Sequence, residues 1–131
     1  MDVKNKLLKG LLIAIVDDDA SVRNSTRRLL QSTGLQAEAF ASAEDFLQSG
    51  RLDEMACVIL DMRMPGMSGL EMQQRLIETG RPIPIVFLSA RASEAEKLRA
   101  LQSGAADFLN KPVSQEVLLD AIHTALEIGD D

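Results

Sequence analysis

The sequence predicts an α/β fold: a doubly wound, five-stranded parallel sheet in the order 2-1-3-4-5, with helices on both faces. Three observations carry this expectation. Five short apolar runs bounded by turn residues recur at a steady interval, and segments of helical spacing lie between them. The first, third and fourth runs are almost unbroken Ile, Val and Leu, as in strands buried on both faces. Acidic residues close the first and third runs and nothing comparable closes the second, which sets strands one and three side by side at the switch point and strand two outside.

Taken in order, Leu12 to Val16 is the first strand, followed by a helix patterned on Val22, Leu29 and Leu30 that stops at Gly34. The weaker run Ala37 to Ala41 suits an edge strand. Ser42 with Asp45 forms the sequence of a capping box and opens a helix carrying Phe46 and Leu47, with Gly50 at its end. Cys57 to Leu60 is the third strand, and Ser68 with Glu71 opens a helix bearing Leu70, Leu76 and Ile77 that ends at Gly80. Ile83 to Leu88 is the fourth strand, and Ser93 with Glu96 opens a helix with Leu98 and Leu101 before Gly104. Ala105 to Leu109 suits the opposite edge, and Val117, Leu118, Ile122 and Leu126 repeat at the spacing of a last helix. Residues 1–10 read as a lead-in with three lysines, residues 11–128 as the domain, and Asp130-Asp131 as a loose acidic end, with no output domain expected in this chain.

Composition narrows the function. A chain of 131 residues with 46% apolar content fills one core. Fourteen basic against twenty acidic residues leave a net charge of -6, which disfavours binding to nucleic acid or an anionic membrane surface. One cysteine, Cys57, and one histidine, His123, exclude an internal disulfide and a multi-histidine metal site, and fit a reducing cytoplasm. Without Trp or Tyr there is little aromatic surface for stacking bases. No apolar stretch approaches the roughly 20 residues of a spanning helix.

The expected strand ends gather polar residues on one edge: Asp17, Asp18 and Asp19 after the first strand, Asp61 after the third, Ser89 after the fourth and Lys111 after the fifth. Clustered carboxylates must hold protons, pair with Lys111 or bind a hard cation, and Mg²⁺ is the natural one because it takes a few carboxylates and keeps waters for exchange with phosphate oxygens. A carboxylate beside Mg²⁺ and a lysine ammonium suits attack on phosphorus. Taken singly, each residue has a plainer role: the Asp run as a helix start, Asp61 as a turn residue, Ser89 as a cap, Lys111 as a solvated side chain.

The four motifs together are highly specific. Ile15-Val16-Asp17-Asp18, Val58-Ile59-Leu60-Asp61-Met62-Arg63-Met64-Pro65-Gly66-Met67-Ser68-Gly69, Val86-Phe87-Leu88-Ser89-Ala90 and Gly104 to Pro112 resemble the receiver domain of bacterial two-component response regulators over roughly Leu11 to Leu126. Ser42 to Leu47 adds similarity to receivers of the FixJ type. The resemblance implies a flavodoxin-like receiver fold and a phosphorylation-dependent switch rather than a multi-turnover enzyme. It implies Asp61 as acceptor of a phosphoryl group from a sensor histidine kinase or histidine phosphotransfer protein. Mg²⁺ would be held by Asp17, Asp18, Asp61 and the backbone carbonyl of Arg63. Lys111 and Ser89, with the amides of Arg63 and Ala90, would contact the phosphoryl oxygens, and Lys111-Pro112 would be cis. Ser89 and Phe108 would form the switch, altering a face of the fourth helix, fifth strand and fifth helix that an output domain, a partner or a second copy can read. Arg63 and Arg91 stand where the family modulates acyl-phosphate hydrolysis.

Two alternatives differ in class. Asp17-x-Asp19 with Ser89, Lys111 and Gly129-Asp130-Asp131 faintly resembles haloacid-dehalogenase-type phosphatases, which would make Asp17 the nucleophile. A pseudo-receiver would use the same face for binding without phosphorylation. Cys57 and His123 are expected to be a core residue and a last-helix side chain, and Met62, Met64 and Met67 apolar support for their loop.

Overall fold

The computed structural model describes residues 10–127. Strands and helices alternate: β1 (Leu12–Val16), α1 (Ala20–Gln31), β2 (Gln36–Phe40), α2 (Ala43–Leu47), a 3₁₀ turn (Leu52–Glu54), β3 (Cys57–Leu60), α3 (Gly69–Glu78), β4 (Ile85–Ser89), α4 (Glu94–Gln102), β5 (Asp107–Asn110) and α5 (Gln115–Leu126). All strand pairs are parallel and the order is β2-β1-β3-β4-β5, the expected topology.

Alternation along the buried strands feeds two cores. Ile13, Ile15, Ile59, Val86 and Leu88 face Leu30 of α1 and Leu118 and Ile122 of α5. The neighbours between them, including Ala14, Val16, Val58, Leu60 and Phe87, face Phe46 of α2, Met72 and Leu76 of α3 and Ala100 of α4. Both cores contain large side chains with essentially no exposure, Phe46 and Phe87 on one side and Leu30 and Ile122 on the other, each worth about 1.5–3 kcal/mol of burial.

Helix starts follow the expected serines. Ser68 and Ser93 form full capping boxes with Glu71 and Glu96. Ser42 accepts the Asp45 amide, but α2 has only this half of the box among its described contacts. Two caps lay outside the serine-acid pattern: Asp19 accepts the amides of Ser21 and Val22 at the start of α1, and Ser114 accepts that of Val117 at the start of α5. Gly34, Gly80 and Gly104 end their helices with positive φ, as their positions suggested.

Three strand boundaries moved. The run from Ile83 becomes β4 only at Ile85, because Pro84 has no amide to give and joins the sheet as acceptor of the Val58 amide alone. β2 starts one residue earlier, with Gln36 opposite Leu12. β5 runs from Asp107 to Asn110, so its ends are polar, as an edge strand tolerates. On α4 the spaced residues Leu98 and Leu101 are exposed, and the smaller Ala100 is what packs inward. The lead-in expected at 1–10 lies outside the described residues apart from Gly10, as do residue 128 of the expected domain and the acidic end Asp130-Asp131.

Gly69 illustrates how tightly the fold supports its upper edge. A Cβ there would stand 2.4 Å from the Asp61 carbonyl oxygen and 2.9 Å from the Phe87 ring, so backbone would have to move. Gly69→Ala is expected to cost roughly 1–3 kcal/mol in urea unfolding, as overpacking does, and to displace the loop that begins at Asp61. A variant as stable as the parent would show that the α3 start and this loop are free to separate.

Candidate functional site

Register brings the expected residues to one edge. Val16, Leu60, Phe87 and Phe108 form a row across β1, β3, β4 and β5. Asp17 and Asp61 follow their strands by one residue, while Ser89 ends β4 opposite Asn110 and Lys111 comes next after β5. The Asp61 amide donates to the Val16 carbonyl (3.0 Å) and the Lys111 amide to the Ser89 carbonyl (3.0 Å), which extends the ladder into the site.

The polar groups meet at Lys111. Its Nζ lies 2.8 Å from Asp17 Oδ2 and 3.7 Å from Asp61 Oδ2, and all three side chains are largely buried. Asp18 is exposed, and carboxylate oxygens of Asp17, Asp18 and Asp61 lie within 4.8 Å of one another. The second Asp17 oxygen accepts the Asp19 amide (2.9 Å), so both of its oxygens are engaged. Asp61 instead lines a small pocket of about 150 Å³ with Arg63, Ser89, Ala90, Arg91 and Lys111. Burial raises the Asp61 carboxyl above its ordinary range, and the Asp17 charge adds to the rise, while Lys111 and the Arg63 amide oppose it.

This environment fits a hard divalent cation. Three oxygen donors sit together, one lysine offsets part of their charge, and the Asp61 carboxyl is raised by burial first and by the neighbouring Asp17 charge second. The donors are all oxygen, which suits Mg²⁺ and not a thiolate- or imidazole-seeking ion.

Ser89 is buried at the end of β4, and its hydroxyl donates to the Arg91 carbonyl over a long 3.4 Å. Phe108 is buried and stacks on Phe87 with ring centroids 5.5 Å apart. The Lys111-Pro112 peptide is cis. Asp19 stands apart from this set as the α1 cap. Cys57 is wholly buried in β3, where desolvation pushes its thiol up to about 12 and leaves it unreactive. His123 lies on α5 beside Glu127, far in role from any triad. Met62 and Met64 are buried and Met67 packs against the same core, the supporting role expected of them.

Two contacts at the site carried no sequence signal. Glu44 of α2 accepts the Met67 amide (3.0 Å) and its carboxylate fills the space beside Gly66, pinning the loop after Asp61 from 23 residues away. Glu96 of α4 pairs with Arg63 across 33 residues. Nothing in local periodicity marks either contact.

A doubly wound sheet with an acidic, lysine-bridged pocket beyond strands one, three, four and five defines the class of phosphoryl-accepting signalling domains. The chain belongs to the response regulator receiver domain family, whose model matches residues 13–123, and such domains act in phosphorylation-dependent two-component signalling. It is 45% identical over 117 residues to the transcriptional regulatory protein TdiR of Thauera aromatica, covering 89% of this chain and 52% of that protein. It is 43% identical over 121 residues to the response regulator protein TodT of Pseudomonas putida, covering 92% of this chain and 53% of that one. Among solved structures it is similar to FixJ-N, with a TM-score of 0.81, 30% identity and coverage of 91% of this chain and 95% of that one. The chain spans about half the length of these curated relatives. The phosphatase and pseudo-receiver alternatives find no support: the comparisons point to response regulators, and the Gly129-Asp130-Asp131 element lies outside the described residues.

Proposed function

We propose that Asp61 is the phosphoacceptor of this receiver. The observation that carries the reading is that Asp61, alone among the three clustered carboxylates, lines the small pocket whose other walls are Lys111, Ser89 and the loops after β3 and β4. In the transfer the Asp61 oxygen–phosphorus bond forms as the donor's nitrogen–phosphorus bond breaks, and the leaving imidazole keeps the electron pair and takes a proton from water. Asp17, Asp18, Asp61 and the Arg63 carbonyl would hold Mg²⁺, whose chemistry is to neutralise charge on the phosphoryl oxygens. Lys111 supplies a second positive charge, and the Ser89 hydroxyl with the amides of Arg63 and Ala90 supplies donors.

Ser89 has a weak partner to give up, since its bond to the Arg91 carbonyl is 3.4 Å and Arg63 Nε occupies the same oxygen at 3.0 Å. Turning toward a phosphoryl group therefore orphans nothing. Phe108, adjacent in the row to Phe87, completes the switch by repacking, and the altered face spans α4, β5 and α5. Leu98, Leu101 and Val117 are exposed there, apolar footing for an output domain, a partner or a second copy. The phosphodonor is a sensor histidine kinase or histidine phosphotransfer protein, and the groove of about 510 Å³ between α1 and the β5–α5 connection, which opens beside Lys111, offers it Val22, Leu29 and Val113. The domain assists its own phosphorylation and dephosphorylation without turning over a substrate. No helix among the described residues is long and apolar enough to cross a membrane, and we place the protein in the cytoplasm, where such kinases present their phosphohistidine.

With Mg²⁺ and acetyl phosphate, intact-mass spectrometry is expected to show one added phosphoryl group, mapped to the Asp61 peptide and lost on chelation of the metal. Labelling on Asp17, or none, would defeat the reading.

A further inference from the structure

The mouth of the Asp61 pocket and the first turn of α4 share a carboxylate. Arg63 leaves the loop after β3 and crosses to the loop after β4, where its Nε donates to the Arg91 carbonyl (3.0 Å) and its Nη2 meets Glu96 Oε1 (2.6 Å). That same Glu96 oxygen accepts the Ser93 amide (2.9 Å), while Ser93 Oγ accepts the Glu96 amide (3.1 Å), closing the α4 capping box. The Ser93 amide first, and then Arg63, hold the Glu96 carboxyl below its usual range, so it is fully charged at neutral pH. Arg63 lines the pocket beside Asp61, yet its guanidinium is drawn to the α4 side of the rim.

We infer that Glu96 is a positioning residue for phosphorylation. It parks the Arg63 guanidinium on α4 and keeps that charge from an incoming anionic phosphodonor, so that the start of α4 and access to the pocket are governed together. The inference rests on Asp61 being the phosphoacceptor. A guanidinium is well suited to this exchange, since its planar fork fits a carboxylate and a phosphoryl group equally.

The box and the ion pair can be separated, because Gln serves at the third helical position of a capping box as well as Glu does. Glu96→Gln therefore keeps the cap, weakens the hold on Arg63 and is expected to leave thermal unfolding unchanged. With Mg²⁺ and acetyl phosphate, the full chain carrying Glu96→Gln is expected to show a KM for Asp61 labelling roughly two- to five-fold lower, the size of an exposed ion pair, with little change in the maximal rate. In an Arg63→Ala background the same substitution is expected to have no effect. Unchanged KM in Glu96→Gln overturns the inference, and so does an equal gain in the Arg63→Ala background, which would mean that Glu96 acts through its own charge. Absence of labelling in the parent protein too would instead remove the phosphoacceptor reading and this inference with it.

Discussion

Asp61→Asn is expected to abolish labelling by acetyl phosphate and at the same time to stabilise the metal-free domain by about 0.5–2 kcal/mol, read from urea unfolding. The two effects have one cause. Asp61 is 7% exposed, has carboxylate oxygens of Asp17 and Asp18 within 4.8 Å, and its carboxyl is raised above the ordinary range first by burial and then by the Asp17 charge. In the folded chain its ionised form is therefore disfavoured relative to the unfolded chain. Linkage fixes the sign with pH: the cost is fully present above the raised folded value and fades as pH falls through it toward the value of an unfolded aspartate. The advantage of the Asn variant should follow the same course, large at neutral pH and gone once the pH is below the value of an unfolded aspartate. Saturating Mg²⁺ should narrow the gap at neutral pH by favouring the parent, whose three carboxylates are intact. A variant less stable than the parent at neutral pH would mean that Lys111 already compensates Asp61 in full.

That such a strained position could be found from sequence follows from how the sheet is built. β1 and β3 are buried on both faces, so their apolar runs stop abruptly at the polar edge of the sheet, and Asp17 and Asp61 mark those stops to the residue. The edge strands lack this contrast. β5 begins and ends on polar residues, Asp107 and Asn110, and β2 contains Gln36 and Glu38, so an apolar run places them only to within one or two positions. Pro84 shifted the start of β4 for a different reason, the missing amide.

The site was legible where topology alone positions a residue, as with Asp61, Ser89 and Lys111 at the ends of neighbouring strands. It was not legible where a side chain reaches between loops. Glu44 to Met67 and Arg63 to Glu96 join segments with no shared period, and their residue types are those of ordinary surface charge. Glu96 did carry a signal, but for its local part, the capping box, and the second use of its carboxylate depends on where Arg63 is delivered by the turn after β3. Leu98 and Leu101 misled in the opposite sense: their spacing is that of a core face, yet α4 rests on Ala100 and leaves the leucines exposed among the described residues.

Lys111→Ala should have the second large effect. Its ammonium is 2.8 Å from Asp17 and 3.7 Å from Asp61, whose side chains are only 4% and 8% exposed. Removing it leaves two buried carboxylates facing one another and the exposed Asp18 beside them. Breaking a fully buried pair costs about 3–5 kcal/mol, and because Asp61 opens onto a pocket the expected loss here is nearer ~2 kcal/mol in metal-free protein at neutral pH. Lys111 is one of the influences that lower the Asp61 carboxyl, so its removal raises that group further. The destabilisation should accordingly fade as pH falls and Asp61 takes a proton, by the same linkage as above. The cluster that remains is more negative by one charge, so calorimetric titration should show Mg²⁺ binding more tightly to Lys111→Ala than to the parent. Labelling by acetyl phosphate should nevertheless be slower at saturating Mg²⁺, since the lysine charge is directed at the pocket and the metal cannot occupy its place. Weaker Mg²⁺ binding in the variant would show that Lys111 organises the carboxylates for the cation and does more than oppose their charge.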